Sequence, residues 1–148
     1  MKDINQACAE LILLGQKIEN YLRLSNYYNY NDLSEFAVDH KDAEQLFLKE
    51  ELQIIMDKLA EAQDRIKYLS CPVREISRLH RNKSGRYETE QGHYYCCGSR
   101  IEALVPDSDT GVSRWVRTNV EHNREDYFLA GYDDVPMDGL TVRVRKEV

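Results

Sequence analysis

The sequence predicts an α+β fold: an N-terminal antiparallel helical hairpin, similar to a coiled coil, followed by a small SH3-like antiparallel β-barrel. Residues 1–70 contain no proline, a single glycine and apolar residues at heptad spacing. Residues 71–148 contain all three prolines, six of the seven glycines and short runs that alternate between apolar and polar residues. We therefore expect two domains, a helical hairpin over 1–71 and a small β-barrel domain over 72–148.

The first helix is predicted over about 3–24, because Asp3 can cap its N-terminus and an apolar stripe follows at heptad spacing. That stripe consists of Ile4, Ala7, Leu11, Leu14, Ile18 and Tyr21. The second helix is predicted over about 41–69. Its stripe consists of Leu48, Leu52, Ile55, Leu59, Ala62, Ile66 and Leu69. Two such stripes joined by a loop favour antiparallel packing of the two helices, and they also leave a homodimer through the helices open.

The second half of the chain is predicted to hold short strands, since Pro72 ends the helical part and turn residues recur after it. The strands are expected near 75–80, 86–90, 93–96, 100–105, 114–120, 127–130 and 141–146. Alternation is clearest in the last one, where Leu140, Val142 and Val144 are expected to face the core. So many short strands in so few residues are typical of a small barrel, and the lone Trp115 is expected to fill its core.

The composition is typical of a soluble globular protein, with 42% hydrophobic and 31% charged residues. The first residues do not resemble a signal peptide, and no apolar run reaches the roughly 18 residues that a membrane span requires. We therefore expect a cytoplasmic protein with no membrane contact. Four cysteines at irregular spacing predict free thiols rather than disulfides, and no metal or other cofactor is expected. These are Cys8, Cys71, Cys96 and Cys97.

No catalytic residue is predicted, and we do not expect an enzyme. The chain lacks a Gly-x-Ser-x-Gly elbow, a phosphate-binding loop and a His-Glu-x-x-His pair. Its four histidines are scattered along the sequence, so they do not define a site. A binding function is the remaining interpretation.

Charge is distributed unevenly along the chain, whose net charge is −6. Residues 1–70 hold 8 basic and 13 acidic side chains, whereas residues 71–148 hold 12 and 13, and ten of those 12 basic residues are arginine. Arginine is favoured at interfaces and at phosphates, so a basic patch is a candidate binding site for nucleic acid or a partner protein. It would comprise Arg74, Arg78, Arg81, Lys83 and Arg86, joined by Arg143 and Arg145 if the last strand lies beside the first. The alternative is a solvated strand face paired with acidic residues.

Tyrosines supply a second set of candidate contacts. Tyr27, Tyr28 and Tyr30 lie in a polar loop after the first helix, and Tyr94 lies among the predicted strands. Tyrosine contributes rigid, amphipathic area to interfaces, which favours an aromatic contact patch. The alternative for the loop is that its tyrosines cap the end of the hairpin core.

The C-terminal half carries a spaced set of motifs: Gly-Arg-Tyr at 85–87, Cys-Gly-Ser-Arg-Ile-Glu at 97–102, Trp115 and Gly-Leu-Thr-Val-Arg at 139–143. On these motifs, the chain resembles over roughly 75–146 a family of uncharacterised small proteins that is labelled only as a domain of unknown function. Members of that family occur in Gram-positive bacteria, often on plasmids, conjugative elements and phages. The resemblance implies a small β domain in a mobile-element setting and supplies no catalytic residues.

These observations lead to three hypotheses of function. The first is a non-catalytic protein-binding module encoded on a mobile element, in its most concrete version an inhibitor of a host defence system such as an RNA-guided nuclease. An acidic small protein suits the basic channels of such enzymes. The second is an RNA- or DNA-binding accessory protein that uses the arginine-rich patch. The third is an oligomerising scaffold.

Overall fold

The computed structural model describes residues 2–25, 27 and 33–147. The chain divides into two compact units, Met1–Cys71 and Pro72–Val148. In the described residues the first unit contains two α-helices and the second contains mostly antiparallel β-strands, so the protein is α+β. Neither helix is long and apolar enough for an 18-residue stretch of it to cross a bilayer, as far as the described residues extend.

Two aspartates begin the two helices. Helix α1 spans Ile4–Leu24, and the side chain of Asp3 accepts a hydrogen bond of 2.8 Å from the backbone N–H of Asn5. Helix α2 spans Ala43–Ser70, and Asp42 accepts from the backbone N–H of Glu44 at 3.0 Å. Each carboxylate satisfies a backbone donor that the helix cannot pair internally. Both helices therefore begin within two residues of the predicted positions.

The helices pack against each other in opposite directions, since Gly15 meets Ile66 and the later residue Leu22 shares a core with the earlier Met56. On α1 the packed side is formed by Cys8, Ile12, Gly15, Glu19 and Leu22. On α2 it is formed by Leu52, Met56, Leu59, Gln63 and Ile66. A Cβ at position 15 would lie 2.6 Å from Ile66 Cγ2, so the missing side chain is what allows the two backbones to approach.

The predicted stripe is only partly correct on α2, where Leu48, Ile55, Ala62 and Leu69 are exposed, and it is displaced on α1. Leu52, Leu59 and Ile66 are packed or buried as predicted. On α1 only Ile18 of the predicted stripe is partly buried, because contact at Gly15 rotates the packed face by about one row of side chains. The rest of that stripe is exposed.

The described part of the second unit contains seven strands: β1 (Val73–Arg78), β2 (His80–Arg81), β3 (Tyr87–Glu88), β4 (Arg100–Pro106), β5 (Ser113–His122), β6 (Tyr127–Leu129) and β7 (Thr141–Arg145). Five of them form an antiparallel sheet in the order β1-β7-β4-β5-β6, and β2 pairs with β3 as a separate ribbon. Residues 93–96 form no strand of their own, and only an isolated bridge joins Tyr94 to Glu88.

The sheet is open and does not close into the predicted barrel within the described residues. Its edge strands, β1 and β6, do not pair with each other, and β6 is only three residues long. Its inward face is instead covered by the β2–β3 ribbon and by the segment 130–140. The ribbon supplies Tyr87, and the segment supplies Met137 and Leu140. Leu79, which precedes β2, and Tyr95, which follows β3, join them in a core that includes Ile101, Ala103, Val116, Val120, Leu129 and Val142. The predicted inward positions Leu140, Val142 and Val144 are buried, which confirms the alternation in the last strand.

Candidate interaction surface

Strand register places a row of side chains across the outward face of the sheet. Ile76 on β1 lies opposite Arg143 on β7, Arg143 lies opposite Glu102 on β4, and Glu102 lies opposite Arg117 on β5. Directly opposed residues point to the same face, and so do residues two apart on one strand. We name this surface the arginine face. It is formed by Ile76, Arg78, Arg100, Glu102, Trp115, Arg117, Arg143 and Arg145.

Glu102 is the centre of the arginine face, although only 6% of the residue is exposed. Arg143 Nε donates to its carboxylate at 2.7 Å, and Arg145 Nε donates at 3.1 Å. Burial opposes ionisation of this carboxyl, but the hydrogen bonds and positive charge of Arg143 and Arg145 outweigh it and hold the pKa of Glu102 below its ordinary value. The carboxylate therefore fixes two guanidinium groups in one position.

Trp115 lies beside this ion-paired centre. It is partly exposed rather than buried, and the guanidinium carbon of Arg143 lies 4.4 Å from the centroid of its ring. The prediction that Trp115 fills the core is therefore wrong, because the alternation of β5 turns its neighbour Val116 inward and Trp115 outward. A cation above an indole ring is a favourable contact, so Arg143 is held by both Glu102 and Trp115.

Apolar and basic groups surround the fixed centre. Ile76 on the edge strand is 61% exposed, and Arg78 on β1 and Arg117 on β5 are exposed on the same face, at the two ends of the row. Arg100 is exposed at the start of β4. The arginine face thus combines five guanidinium groups with one carboxylate and two apolar side chains, which suits an acidic surface that also carries apolar groups.

The predicted basic patch is only partly assembled. Because β7 pairs with β1, Arg78, Arg143 and Arg145 share the arginine face. Arg74 lies where the register of β1 shifts, and its guanidinium is 3.4 Å from Nδ1 of the half-buried His93. Burial first, and then the charge of Arg74, lower the pKa of that histidine.

The remaining members of the patch lie around the β2–β3 ribbon. Arg81 forms an ion pair of 2.5 Å with Asp126 and donates to the Tyr87 hydroxyl at 2.9 Å. Lys83 is exposed in the turn, and the Arg86 guanidinium carbon is 5.7 Å from the centroid of the Tyr94 ring. These side chains form a second basic region that is largely committed to acidic and aromatic neighbours.

The predicted aromatic contacts have different environments. Tyr27 is buried in the helical unit, where its hydroxyl donates to Asp57 and its ring packs with Leu22 and Met56. It therefore contributes to the core of that unit. Tyr94 is 53% exposed beside Arg86. Tyr28 and Tyr30 lie outside the described residues.

A second buried carboxylate attaches the edge strand to the segment after β3. Glu75 accepts hydrogen bonds from the hydroxyls of Ser77 at 2.8 Å and Thr89 at 2.9 Å, and from the backbone N–H of Gln91 at 3.2 Å. Burial opposes its ionisation, but these donors outweigh burial and lower the pKa of Glu75. Glu75 therefore holds β1 in place, and β1 carries Ile76 and Arg78 of the arginine face.

The predicted site residues omit half of the arginine face: Ile76, Arg100, Glu102 and Arg117. Alternation is a usable signal, because Arg100 and Glu102 alternate with apolar residues at 101 and 103, and Arg117 follows an apolar residue at 116. That signal assigns a face but not a register, so it cannot place Glu102 beside Arg143. In the part of the chain that the structure describes, no three His, Cys, Asp or Glu side chains are arranged to hold a metal ion.

Comparison with known families adds one finding for the β unit. Residues 77–144 match a family described as a domain of unknown function, DUF5348. The match covers most of the sheet, including β4, β5 and β6, and none of the helical unit. No curated protein and no solved structure is detectably similar to the chain.

Proposed function

We propose that this protein is a non-catalytic protein-binding module and that the arginine face is its contact surface. The observation that carries the proposal is the cluster in which Glu102 and Trp115 hold Arg143 on an otherwise exposed sheet face. Arginine and tryptophan are the residues most enriched among those that dominate binding energy at protein interfaces. Because Arg143 is already held, little side-chain entropy is lost when a partner binds to it.

The composition of the arginine face supports a protein partner over a nucleic acid. One face of the Trp115 ring is occupied by Arg143, which leaves less of the ring for a stacked base. Arg143 and Arg145 are also paired with Glu102, so their charge is partly neutralised. Ile76 adds an exposed apolar contact of the kind that protein surfaces bury.

The more specific version of the proposal is a mobile-element protein that inhibits a host defence system, such as an RNA-guided nuclease. Two facts support it: the DUF5348 match over 77–144 and the excess of five acidic side chains in residues 1–70. The acidic helical unit would be attracted to the basic channels of such nucleases, whereas the arginine face would supply directional contacts. If none of the host's RNA-guided nucleases forms a complex with the purified protein, this version is wrong.

The proposal is tested by capture from a bacterial lysate with three tagged proteins, each with and without nuclease treatment. These are the wild type, a variant with Arg78→Glu and Arg117→Glu, and a control with Arg124→Glu, an exposed residue in the turn before β6. We expect a stoichiometric protein that survives nuclease treatment and is lost only with the double variant. Retention of the same protein by the double variant would show that the arginine face is not the contact surface.

The second candidate function is an RNA- or DNA-binding accessory protein. The observation that favours it is that the arginine face carries five guanidinium groups and a single carboxylate. Fluorescence polarisation with labelled single-stranded RNA, single-stranded DNA and duplex DNA tests it. Binding should weaken steeply as salt rises, and Arg78→Glu with Arg117→Glu should reduce both the affinity and the slope. Absence of binding at about 50 mM salt would exclude this function.

A further inference from the structure

The helical unit exposes apolar side chains that its own two helices do not cover. Leu11 and Leu14 on α1 are 40% and 50% exposed, and Leu48 and Ile55 on α2 are 53% and 49% exposed. These residues belong to the heptad stripes, which are usually buried in a helix pair. Contact through the small residue Gly15 leaves them uncovered, because it moves the seam to the neighbouring row of side chains.

The two exposed rows lie on the same side of the helix pair. Leu11 precedes Gly15 by four residues, and Ile55 precedes Leu59 by four residues. At about 100° per residue, each is therefore rotated by about 40° from its reference residue about its own helix axis, in the same direction when viewed from N- to C-terminus. Because the helices run in opposite directions, that shared sense places both rows on one side. The opposite side is a polar groove, in which Glu19 forms an ion pair of 3.1 Å with Lys67. The uncovered heptad positions of the two helices thus lie on one side of the pair, while Leu13 and Ile54 are exposed on other sides.

A charged row runs beside the apolar row of α2, and its charges are ordered. At heptad spacing it reads Glu44, Glu51, Lys58 and Arg65, so the acidic residues occupy the N-terminal half and the basic residues the C-terminal half. All four side chains are exposed, and none of them takes part in an ion pair with another described residue. Charges flanking the apolar seam of a coiled coil determine partner choice and orientation.

We propose that the apolar face of α2 binds α2 of a second copy of this chain, with the two helices antiparallel. In that arrangement Glu44 faces Arg65 of the second copy and Glu51 faces Lys58 of the second copy. To within one residue, the same register places Leu48 opposite Ala62 of the second copy and Ile55 opposite itself. Both the charged and the apolar positions are therefore self-complementary about one two-fold axis near Ile55, as a symmetric interface requires.

The charged positions of two α2 helices are not complementary when the helices are parallel. A parallel pair would place the two acidic halves at one level and the two basic halves at the other, which is repulsive. The charge order thus favours the antiparallel homodimer among the arrangements that would cover the exposed row. This inference does not depend on the partner that the arginine face binds.

The test measures the mass and the dimer dissociation constant of the full-length protein by sedimentation equilibrium. Glu51→Lys places two lysines together at each of two symmetric contacts, and Lys58→Glu does the same with glutamates. Each single variant should weaken the dimer about tenfold at low salt. An equimolar mixture of the two variants should restore dimerisation. Only in the mixed dimer does the lysine introduced at position 51 face the glutamate introduced at position 58, while the native Lys58 of one chain faces the native Glu51 of the other.

Two further variants complete the design. Ile55→Asp, at the two-fold axis, should give a monomer with unchanged helix content by circular dichroism. Glu50→Lys makes the same charge change as Glu51→Lys on a different side of α2, and it should leave the dissociation constant unchanged. A wild-type monomer at all concentrations, or a dimer that the mixed variants do not restore, would overturn the proposal and assign the face to another partner or another packing.

Discussion

The guanidinium carbon of Arg143 lies 4.4 Å from the centroid of the Trp115 ring, although these residues belong to strands that do not pair. Strand β4 lies between them and supplies Glu102, which accepts from the same guanidinium. The contact therefore exists only when three strands are in register. Since Trp115 is the sole tryptophan of the chain, its fluorescence reports on the assembly of the arginine face.

Replacing Glu102 should destabilise the protein. Glu102→Gln removes the charge that compensates two partly buried guanidinium groups, and we expect a loss of about 2 kcal/mol in the free energy of unfolding. This loss is measured by urea denaturation, with Trp115 fluorescence as the signal of unfolding. Glu125→Gln, an exposed position, serves as the control and should change the value by less than about 0.5 kcal/mol. An equal effect of both substitutions would contradict a special role for Glu102.

Acid should destabilise the β unit through Glu75 and Glu102. The folded state holds the pKa of both carboxyls below the ordinary value, so the stabilisation from their ionised forms is complete above about pH 4.3 and is lost as pH falls below it. Unfolding free energies measured between pH 7 and pH 3 should therefore decline steeply at the acid end. A protein with Glu75→Gln and Glu102→Gln should be less stable at pH 7 but should show a shallower decline. If the stability of the wild type and of the double variant declined in parallel with pH, the acid loss could not be assigned to Glu75 and Glu102.

Alkali should destabilise the helical unit through Tyr27. The hydrogen bond to Asp57 and then burial raise the pKa of Tyr27 to about 12. Because the folded-state pKa is above the unfolded value of about 10, this stabilisation is complete below pH 10 and is lost as pH rises toward 12. Helix unfolding measured by circular dichroism should show that dependence. Tyr27→Phe should cost about 1 kcal/mol at pH 7 and reduce the alkaline loss, and an unchanged alkaline loss would exclude Tyr27 as its source.

Adding a methyl group at Gly15 should be destabilising although alanine is the better helix former. The Cβ would lie 2.6 Å from Ile66 Cγ2, and we expect a loss of about 1–3 kcal/mol in unfolding free energy. The double variant Gly15→Ala with Ile66→Ala should be less destabilised than the sum of the single variants, since the second change opens the required space. Gln16→Ala, an exposed neighbour on α1, is the control. Additive effects would show that the two side chains do not compete.

Local signals predict much of the fold. Asp3 caps α1 as predicted, α2 begins within two residues of its predicted start, and Leu140, Val142 and Val144 are buried as their alternation indicates. The packed side of α1 could not be predicted, because the apolar stripe is stronger there than the row that contains Gly15. The open sheet was also missed, since strand number and spacing do not determine whether the edge strands pair.

The candidate site depends on non-local register. Arg143 and Arg145 are candidates because arginine is abundant in the C-terminal half, and the face on which they lie follows from alternation. Their shared partner Glu102 is about 40 residues away in sequence, and nothing local connects them. Residue type alone assigns Trp115 to the core, whereas the direction of its neighbour Val116 decides its environment.

The contact at Gly15 also fixes how the two helices are aligned along their length. Sliding α1 along α2 by one turn, about 5.4 Å, would bring Ile12 or Glu19 against Ile66 in place of the glycine. Either side chain would force the helices apart there and remove Leu22 from its place beside Met56. One absent side chain thus excludes the alternative alignments that a heptad repeat would otherwise allow.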